Sequence, residues 1–105
     1  MKDSYLNLLK TNKVYIPNRS ITICIDRGGT FTDCIAFVPV CKVGQTKPYH
    51  IETLVEKLLS EDPKNYPDAP REGIRRILEK ATGIIHPRSE IVPTIKIKVI
   101  RMGTT

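Results

Sequence analysis

The amino-acid sequence predicts an α/β fold, on three observations. Two apolar, β-branched runs at 21–25 and 34–38 flank a pair of glycines, the pattern of two strands joined by a tight turn. Apolar residues then recur with a helical period between 74 and 81. A last β-branched run, Thr94 to Met102, predicts one more strand near the end of the chain. Strands followed by a helix and a further strand are typical of part of an α/β domain.

Length and composition limit the classes of protein that this chain can form. Its 105 residues are enough for one small domain, or part of one. No apolar run approaches the roughly 18 residues that a membrane-spanning helix needs, and no secretory signal opens the chain. The three cysteines fit no zinc or redox spacing. We therefore expect a soluble, cytoplasmic protein with free thiols and no membrane partner.

The basic character of the chain does not predict a nucleic-acid partner. The formal net charge is +6, but the charged residues are scattered along the sequence. The densest basic stretch, Lys96 to Arg101, alternates with apolar residues as in a strand with one solvated face. Aromatic residues are few and no nucleic-acid motif is present, so we expect no nucleic-acid binding.

The first half of the predicted domain is a glycine hairpin. The run Ile21 to Ile25 has the composition of a central strand, and Cys34 to Val38 follows the turn as its partner. Pro39 is predicted to end this second strand, because proline cannot donate a hydrogen bond to a sheet. Turn-forming residues at 42–48 follow, and then Ile51 to Leu59, which fits either a third strand or a short helix.

The helix has recognisable signals at both ends. The proline-rich segment 60–70 predicts an extended connection, Asp68 a helix N-cap, Pro70 the first turn and Gly83 the end of the helix. Glu72 places negative charge near the positive end of the helix dipole. The predicted buried stripe is Ile74, Ile77, Leu78 and Ala81, and the predicted solvent-facing residues are Arg75, Arg76, Glu79 and Lys80.

The turn between the first two strands carries the candidate chemistry. Gly28 and Gly29 lack the Cβ atoms that would hold backbone N–H groups away from an anion, and Thr30 and Thr32 add hydroxyl donors on the same side. The same residues also fit an ordinary hairpin in which the glycines adopt positive φ. The local pattern leaves both interpretations open. The chain lacks the motifs of a P-loop and of a Rossmann dinucleotide site.

Two carboxylates flank this turn. Asp26 closes the first strand and is placed to hold Mg²⁺, directly or through water, because Mg²⁺ prefers oxygen ligands and bridges to nucleotide phosphates. Asp33 follows the turn and can do the same. Ser60, Glu61 and Asp62 are weaker candidates for acid or base chemistry, since a proline-flanked polar loop is also typical of a solvated connector.

Three blocks of sequence resemble the hydantoinase/oxoprolinase family. IDRGGTFTD, at 25–33, resembles the opening phosphate motif of the family. KLLSEDP, at 57–63, with NYPDAP and EGIRRIL after it, resembles the 5-oxoprolinase branch in particular. IRMGTT, at 100–105, resembles the start of the family's MGTT element. The sequence departs from the family pattern in an amino-terminal lead and in a longer stretch between Val38 and Lys57.

The resemblance implies a fold and an activity. The fold is an actin-like, sugar-kinase-like (ribonuclease H-like) ATPase domain, incomplete at its C-terminus, that occupies 20–105 after an amino-terminal lead at 1–19. The activity is the hydrolysis of 5-oxo-L-proline to L-glutamate coupled to ATP hydrolysis, with Mg²⁺, in a homo-oligomeric complete enzyme. We expect so short a chain to be inactive alone. A noncatalytic module that binds phosphate or a partner protein, or a hydantoin-hydrolysing relative, is the alternative.

The resemblance also implies roles for individual residues. Asp26 organises Mg²⁺, the turn holds the β- and γ-phosphates, and Arg27 stabilises the added negative charge. Thr104 and Thr105 either contact substrate or phosphate at a strand-to-helix junction or simply cap the helix. The predicted nucleotide-binding residues are Arg27, Gly28, Gly29, Thr30, Thr32, Thr104 and Thr105, and the predicted metal ligands are Asp26 and Asp33.

Overall fold

A mixed five-stranded sheet with an α-helix on one face makes up most of the protein, in a computed structural model that describes residues 5–104. The α/β prediction is confirmed. The elements are a 3₁₀ helix (Tyr5–Thr11), β1 (Val14–Tyr15), β2 (Ile21–Arg27), β3 (Phe31–Lys42), β4 (His50–Leu59), α1 (Ala69–Thr82) and β5 (Ile97–Thr104). None of the helices among these residues is long and apolar enough to cross a membrane.

The strands β2, β3 and β4 form an antiparallel meander, and β5 returns parallel to β2 along its other edge. The prediction that β2 is central is confirmed, since it pairs with strands on both sides. β1 pairs with the far end of β3, where Tyr15 lies opposite Cys41. The parallel return of β5 requires a long connection, which contains α1.

The prediction that Pro39 ends its strand is wrong, because β3 continues beyond it. Successive strand residues direct their backbone groups to opposite sides, and the Val40 carbonyl accepts a hydrogen bond from Tyr49 N on the β4 side, at 2.7 Å. The nitrogen of Pro39 therefore faces the other side. There the pairing with β2 ends at Phe37 and the pairing with β1 begins at Cys41. The missing N–H falls in the gap between two partners, where it costs no ladder hydrogen bond.

Residues 51–59, which fit either a third strand or a short helix in the sequence, lie in β4. It pairs with β3 over ten residues, from Phe31 opposite Leu59 to Val40 opposite His50. The connecting loop contains Gly44 at φ 86°, a left-handed conformation that glycine adopts without strain.

The bounds of α1 agree with the sequence signals. Asp68 precedes the helix in an extended conformation, although its side chain makes no capping hydrogen bond, and Pro70 lies in the first turn. Gly83 ends the helix at φ 74° and ψ 7°, and its N–H donates to the Glu79 carbonyl at 2.8 Å. These features confirm the predicted start and end of the helix.

The hydrophobic core lies between α1 and one face of the sheet. Gly73 allows the helix to approach β3 closely, because a Cβ at this position would clash with Cys34 Sγ. Ile16, from the predicted amino-terminal lead, is buried in the same core. The buried side chains include Ile21, Ile23 and Ile25 from β2, Cys34, Ala36 and Val38 from β3, and Ile77, Leu78 and Ala81 from α1.

Glu72 is the centre of a buried ion cluster that sequence did not predict. Its side chain is 3% exposed and accepts hydrogen bonds from Arg75 at 2.6 Å, Arg76 at 2.8 Å and Arg88 at 3.0 Å. Burial alone would raise the pKa of Glu72, but the hydrogen bonds from Arg75, Arg88 and Arg76 lower it to about 2. The prediction that Arg75 faces solvent is wrong, since its side chain is 11% exposed. The cluster ties the loop after α1 to the first turns of the helix.

The opposite face of the sheet is uncovered by any described residue and is largely apolar. We call this surface the open sheet face. In the β3–β4 register, Phe31 lies opposite Leu59 and Ile35 opposite Val55. The large apolar side chains on this face are Phe31, Ile35, Phe37, Ile51, Val55 and Leu59, each between 39% and 56% exposed. Apolar surfaces of this kind mark binding interfaces in soluble proteins.

Candidate phosphate- and metal-binding site

Two carboxylates lie directly opposite each other across β2 and β3. The register pairs Asp26 with Asp33, and both side chains lie on the open sheet face, because their strand neighbours Ile25 and Cys34 are buried in the core. Like charges on opposed residues repel each other. Lys57 Nζ lies 3.6 Å from Asp33 Oδ1 and offsets part of this repulsion. Asp26 forms no ion pair with any of the residues that the structure describes.

A shallow cavity of about 410 Å³ adjoins the two carboxylates. Gly103 of β5 lies opposite Asp26 in the parallel register, and a Cβ added there would meet no atom within 4 Å. Arg101 contributes positive charge to the same cavity, opposite Cys24. The lining residues are Cys24, Ile25, Asp26, Asp33, Ile35, Arg101, Met102 and Gly103. The site therefore combines two carboxylates, one guanidinium and open space.

The glycine turn connects the ends of the same two strands. Gly28 N donates to the Phe31 carbonyl at 2.9 Å, which closes the turn. Among the described glycines only Gly44 and Gly83 have positive φ, so positive φ does not explain the glycine pair at 28–29. A Cβ at Gly29 would meet no atom within 4 Å.

Two backbone amides of this turn are available to a ligand. Within residues 5–104, the N–H groups of Gly29 and Thr30 donate no hydrogen bond to the protein. Both residues are exposed. Unpaired backbone N–H groups in a turn with no side chain in the way are the elements of an anion-binding site.

The structure separates the two threonines that sequence placed together. Thr30 is exposed in the turn, whereas Thr32 is fully buried and its Oγ1 lies 2.9 Å from Ser60 Oγ. The expectation that both hydroxyls lie on one side is therefore corrected, because alternation in β3 resumes after the turn and directs Thr32 to the core. Ser60 also donates from its hydroxyl to the Gly28 carbonyl at 2.7 Å. It therefore supports the turn from the buried side.

Arg27 is not directed at the carboxylates. It alternates with Asp26 along β2, and its Nη2 lies 3.1 Å from Glu61 Oε1 in a solvent-exposed ion pair. Thr104, the last residue of β5, lies opposite Arg27. Thr104 is in a strand, so the expected strand-to-helix junction is not within the described residues, and Thr105 lies outside them.

The carboxylate oxygens of this site suit a cation that phosphate oxygens also coordinate. No cluster of three or more His, Cys, Asp and Glu side chains occurs in the described part of the chain. Mg²⁺ is usually held by one or two carboxylates together with phosphate oxygens and water. Asp26 and Asp33 fit that requirement, beside a turn with two available amides.

Comparison with known proteins identifies the family. Residues 22–105 match the model of the hydantoinase/oxoprolinase N-terminal region. The chain belongs to the hydantoinase/oxoprolinase family. The match confirms the resemblance carried by the three sequence blocks, and it starts just after the predicted amino-terminal lead.

Several curated relatives of this hydantoinase/oxoprolinase chain are named 5-oxoprolinases. It is 55% identical over 85 residues to 5-oxoprolinase 1 of Arabidopsis thaliana and 58% identical over 87 residues to 5-oxoprolinase of Dictyostelium discoideum. The alignments cover 81% and 83% of this chain but only 6% of each relative. The chain thus corresponds to the N-terminal region of these proteins. No solved structure is significantly similar to it.

Proposed function

We propose that this chain provides the magnesium- and phosphate-binding part of an ATP-dependent 5-oxoprolinase. The observation that carries the proposal is the opposed pair Asp26 and Asp33 beside a turn whose Gly29 and Thr30 amides donate no hydrogen bond to any described residue. In the complete enzyme, transfer of the γ-phosphoryl group of ATP to the amide oxygen of 5-oxo-L-proline would release ADP. Water would then add to the activated carbon and the ring C–N bond would break to leave an acyl phosphate, which a second water would hydrolyse. The products are L-glutamate, ADP and phosphate.

The strand order supports an actin-like ATPase fold for the complete domain. β4, β3 and β2 form an antiparallel meander, and β5 lies parallel to β2 after a helix. This order is typical of the first half of a ribonuclease H-like sheet. It places the ends of β2 and β5, with the glycine turn, at one edge, where a nucleotide would bind between two lobes.

Each residue has a distinct role in the proposed site. Asp26 and Asp33 supply carboxylate oxygens to Mg²⁺, and the Gly29 and Thr30 amides bind phosphate oxygens. A bound Mg²⁺ would neutralise phosphate charge, which together with positioning provides most of the catalysis in phosphoryl transfer. Lys57, at 3.6 Å from Asp33, holds that carboxylate in place before the ligand arrives.

Arg27, Thr32 and Thr104 have less direct roles in this proposal. Arg27 reaches the nucleotide only if it leaves Glu61, and their exposed ion pair is weak enough to exchange. Thr32 acts through Ser60 rather than on phosphate. Thr104 and Thr105 remain candidates for substrate or phosphate contact.

Binding of Mg·ATP to the 105-residue chain tests the proposal. We expect saturable NMR shifts at 28–30 and at Asp26 and Asp33, and no glutamate formation by the chain alone. Asp26→Asn should weaken binding at least about tenfold, equivalent to about 1.4 kcal/mol. Glu90→Gln, in the exposed loop after α1, is the matched control and should bind as the wild type does. The absence of shifts with millimolar Mg·ATP would refute the proposed site.

The open sheet face favours partner binding as a second candidate function. Its paired apolar rows, such as Ile35 with Val55, would suit a protein partner whether or not a nucleotide binds. If the chain does not bind Mg·ATP, and if Val55→Lys abolishes its binding to a partner protein, the results would favour this function.

Hydantoin is the alternative substrate. If a complete enzyme that contains this chain hydrolyses hydantoin instead of 5-oxo-L-proline, the chain belongs to the hydantoin-hydrolysing branch of the family. The proposed complete enzyme is a cytoplasmic homo-oligomer, which fractionation and light scattering would test.

A further inference from the structure

A buried pair of hydroxyl groups lies beneath the glycine turn. Ser60 follows β4 directly and is 5% exposed, and Thr32 of β3 is fully buried. Their oxygens are 2.9 Å apart, and Ser60 Oγ is 2.7 Å from the Gly28 carbonyl oxygen. In addition, Ser60 N donates to the Thr30 carbonyl at 2.9 Å. One residue from a distant part of the chain therefore contacts both sides of the turn.

Counting donors fixes the direction of these hydrogen bonds. A serine hydroxyl has one hydrogen, and the Gly28 carbonyl can only accept. Ser60 therefore donates to Gly28, and Thr32 donates to Ser60. The result is a short chain of hydrogen bonds in which each one polarises the next.

The same chain of hydrogen bonds sets the direction of a turn amide. The Gly28 carbonyl and the Gly29 N–H belong to one planar peptide unit, and the described residues contain no cis peptide bond. In a trans peptide the two groups point in opposite directions. Because Ser60 holds the carbonyl toward the buried side, the Gly29 N–H points away from it.

A peptide between two glycines needs such a restraint. Without Cβ atoms, the Gly28–Gly29 unit can rotate with little steric cost, and a rotated peptide would present a carbonyl oxygen to an incoming anion. We propose that Ser60 is a positioning residue that fixes the Gly28–Gly29 peptide so that the Gly29 N–H faces a bound phosphate. This inference rests on the proposed function, and it gives Ser60 a role other than acid or base chemistry.

Replacement of Ser60 in the full 105-residue chain tests this role. Ser60→Ala should shift the Gly29 amide resonance of the ligand-free protein and weaken Mg·ATP binding about tenfold, which corresponds to loss of one hydrogen bond to a partly buried carbonyl. Ser60→Thr keeps the hydroxyl and should keep the affinity. If the bulkier side chain in Ser60→Thr disturbs the fold, Thr32→Ser and Thr32→Val provide a second pair of variants, with and without a hydroxyl.

Tyr66→Phe is a matched control. Tyr66 is also 5% exposed, and its hydroxyl donates to the Leu59 carbonyl at 2.6 Å, one residue before Ser60 rather than to the turn. We expect this variant to lose stability while it retains the Gly29 resonance and the affinity for Mg·ATP.

The outcomes separate the two proposals. If the wild-type chain binds no Mg·ATP, the proposed function fails, and the Gly29 resonance in Ser60→Ala still decides whether Ser60 fixes the peptide. An unchanged Gly29 resonance in Ser60→Ala overturns the positioning role. Equal losses of affinity in Ser60→Ala and Tyr66→Phe also overturn it, because they would show a general effect on stability.

Discussion

Replacing Glu72 by glutamine removes the charge at the centre of the buried ion cluster. The carboxylate is 3% exposed and is held by Arg75, Arg76 and Arg88. The fall in its pKa from 4.5 to about 2 corresponds to about 3 kcal/mol of folding free energy. We expect Glu72→Gln to lower the free energy of unfolding by about that amount at pH 7, a large fraction of the stability of a small domain.

The pH dependence of this loss gives a sharper test. Because the pKa of Glu72 is lower in the folded state, the cluster contributes fully above the unfolded pKa near 4.5 and loses its contribution as the pH falls toward 2. The difference in stability between wild type and Glu72→Gln should therefore be constant near neutral pH and shrink in acid. Glu61→Gln, at a side chain that is 79% exposed, should change stability by less than about 1 kcal/mol at every pH.

Urea unfolding followed by circular dichroism at pH 7, 4.5 and 3 measures both effects. A loss below about 1 kcal/mol at pH 7 would show that the arginines do not stabilise the buried carboxylate. A loss that stayed constant down to pH 3 would contradict the assignment of the effect to the charge of Glu72.

Three further predictions follow from packing and exposure. Gly73→Ala should destabilise the protein by about 1–3 kcal/mol in thermal unfolding, because its Cβ would clash with Cys34 Sγ, and Cys34→Ala should relieve most of that cost; additive losses in the double variant would contradict the close contact. Gly83→Ala should cost about 1 kcal/mol at its φ of 74°, measured in the same way, and no loss would argue against the left-handed helix end. Cys24 lines the site cavity, so Mg·ATP should slow its alkylation, whereas burial raises the pKa of Cys34 to about 11 and should keep that thiol unreactive throughout; equal alkylation of Cys24 with and without Mg·ATP would contradict the site.

Local signals were sufficient to predict the hairpin and the helix. The glycine pair and its flanking apolar runs located β2 and β3, and Asp68, Pro70 and Gly83 located the helix ends. The segment that forms β4 was ambiguous because both of its faces carry apolar side chains, such as Leu58 in the core and Leu59 on the open sheet face. The clean alternation that distinguishes a strand from a helix is then missing.

Features that depend on distant contacts were not predictable. Pro39 is tolerated in β3 because of where β1 and β2 happen to end, which a single run of residues does not reveal. Helical periodicity places Arg75 on the solvent side, whereas the structure largely buries it beside Glu72, which also binds Arg88, sixteen residues further along the chain. Helical periodicity describes one element and cannot include such a partner.

One part of the candidate site follows from local sequence, and another part depends on distant contacts. A tight hairpin brings Asp26 and Asp33 into opposition, so their proximity follows from the turn between them. Ser60 is 32 residues from Gly28 and reaches it only because β4 returns beside β3, which is why sequence did not assign its role. Thr30 and Thr32 lie on different sides because the turn interrupts the strand alternation that would otherwise direct residues two apart to the same side.

In the proposed function, this chain supplies the magnesium- and phosphate-binding part of a 5-oxoprolinase. A chimera in which residues 22–105 replace the matching region of the Dictyostelium discoideum relative would test this role in a complete enzyme. With ATP and 5-oxo-L-proline, we predict that the chimera releases phosphate and glutamate in equal amounts, and that Asp26→Asn abolishes both while the protein stays folded. A folded Asp26→Asn chimera with undiminished coupled release would contradict the proposed role.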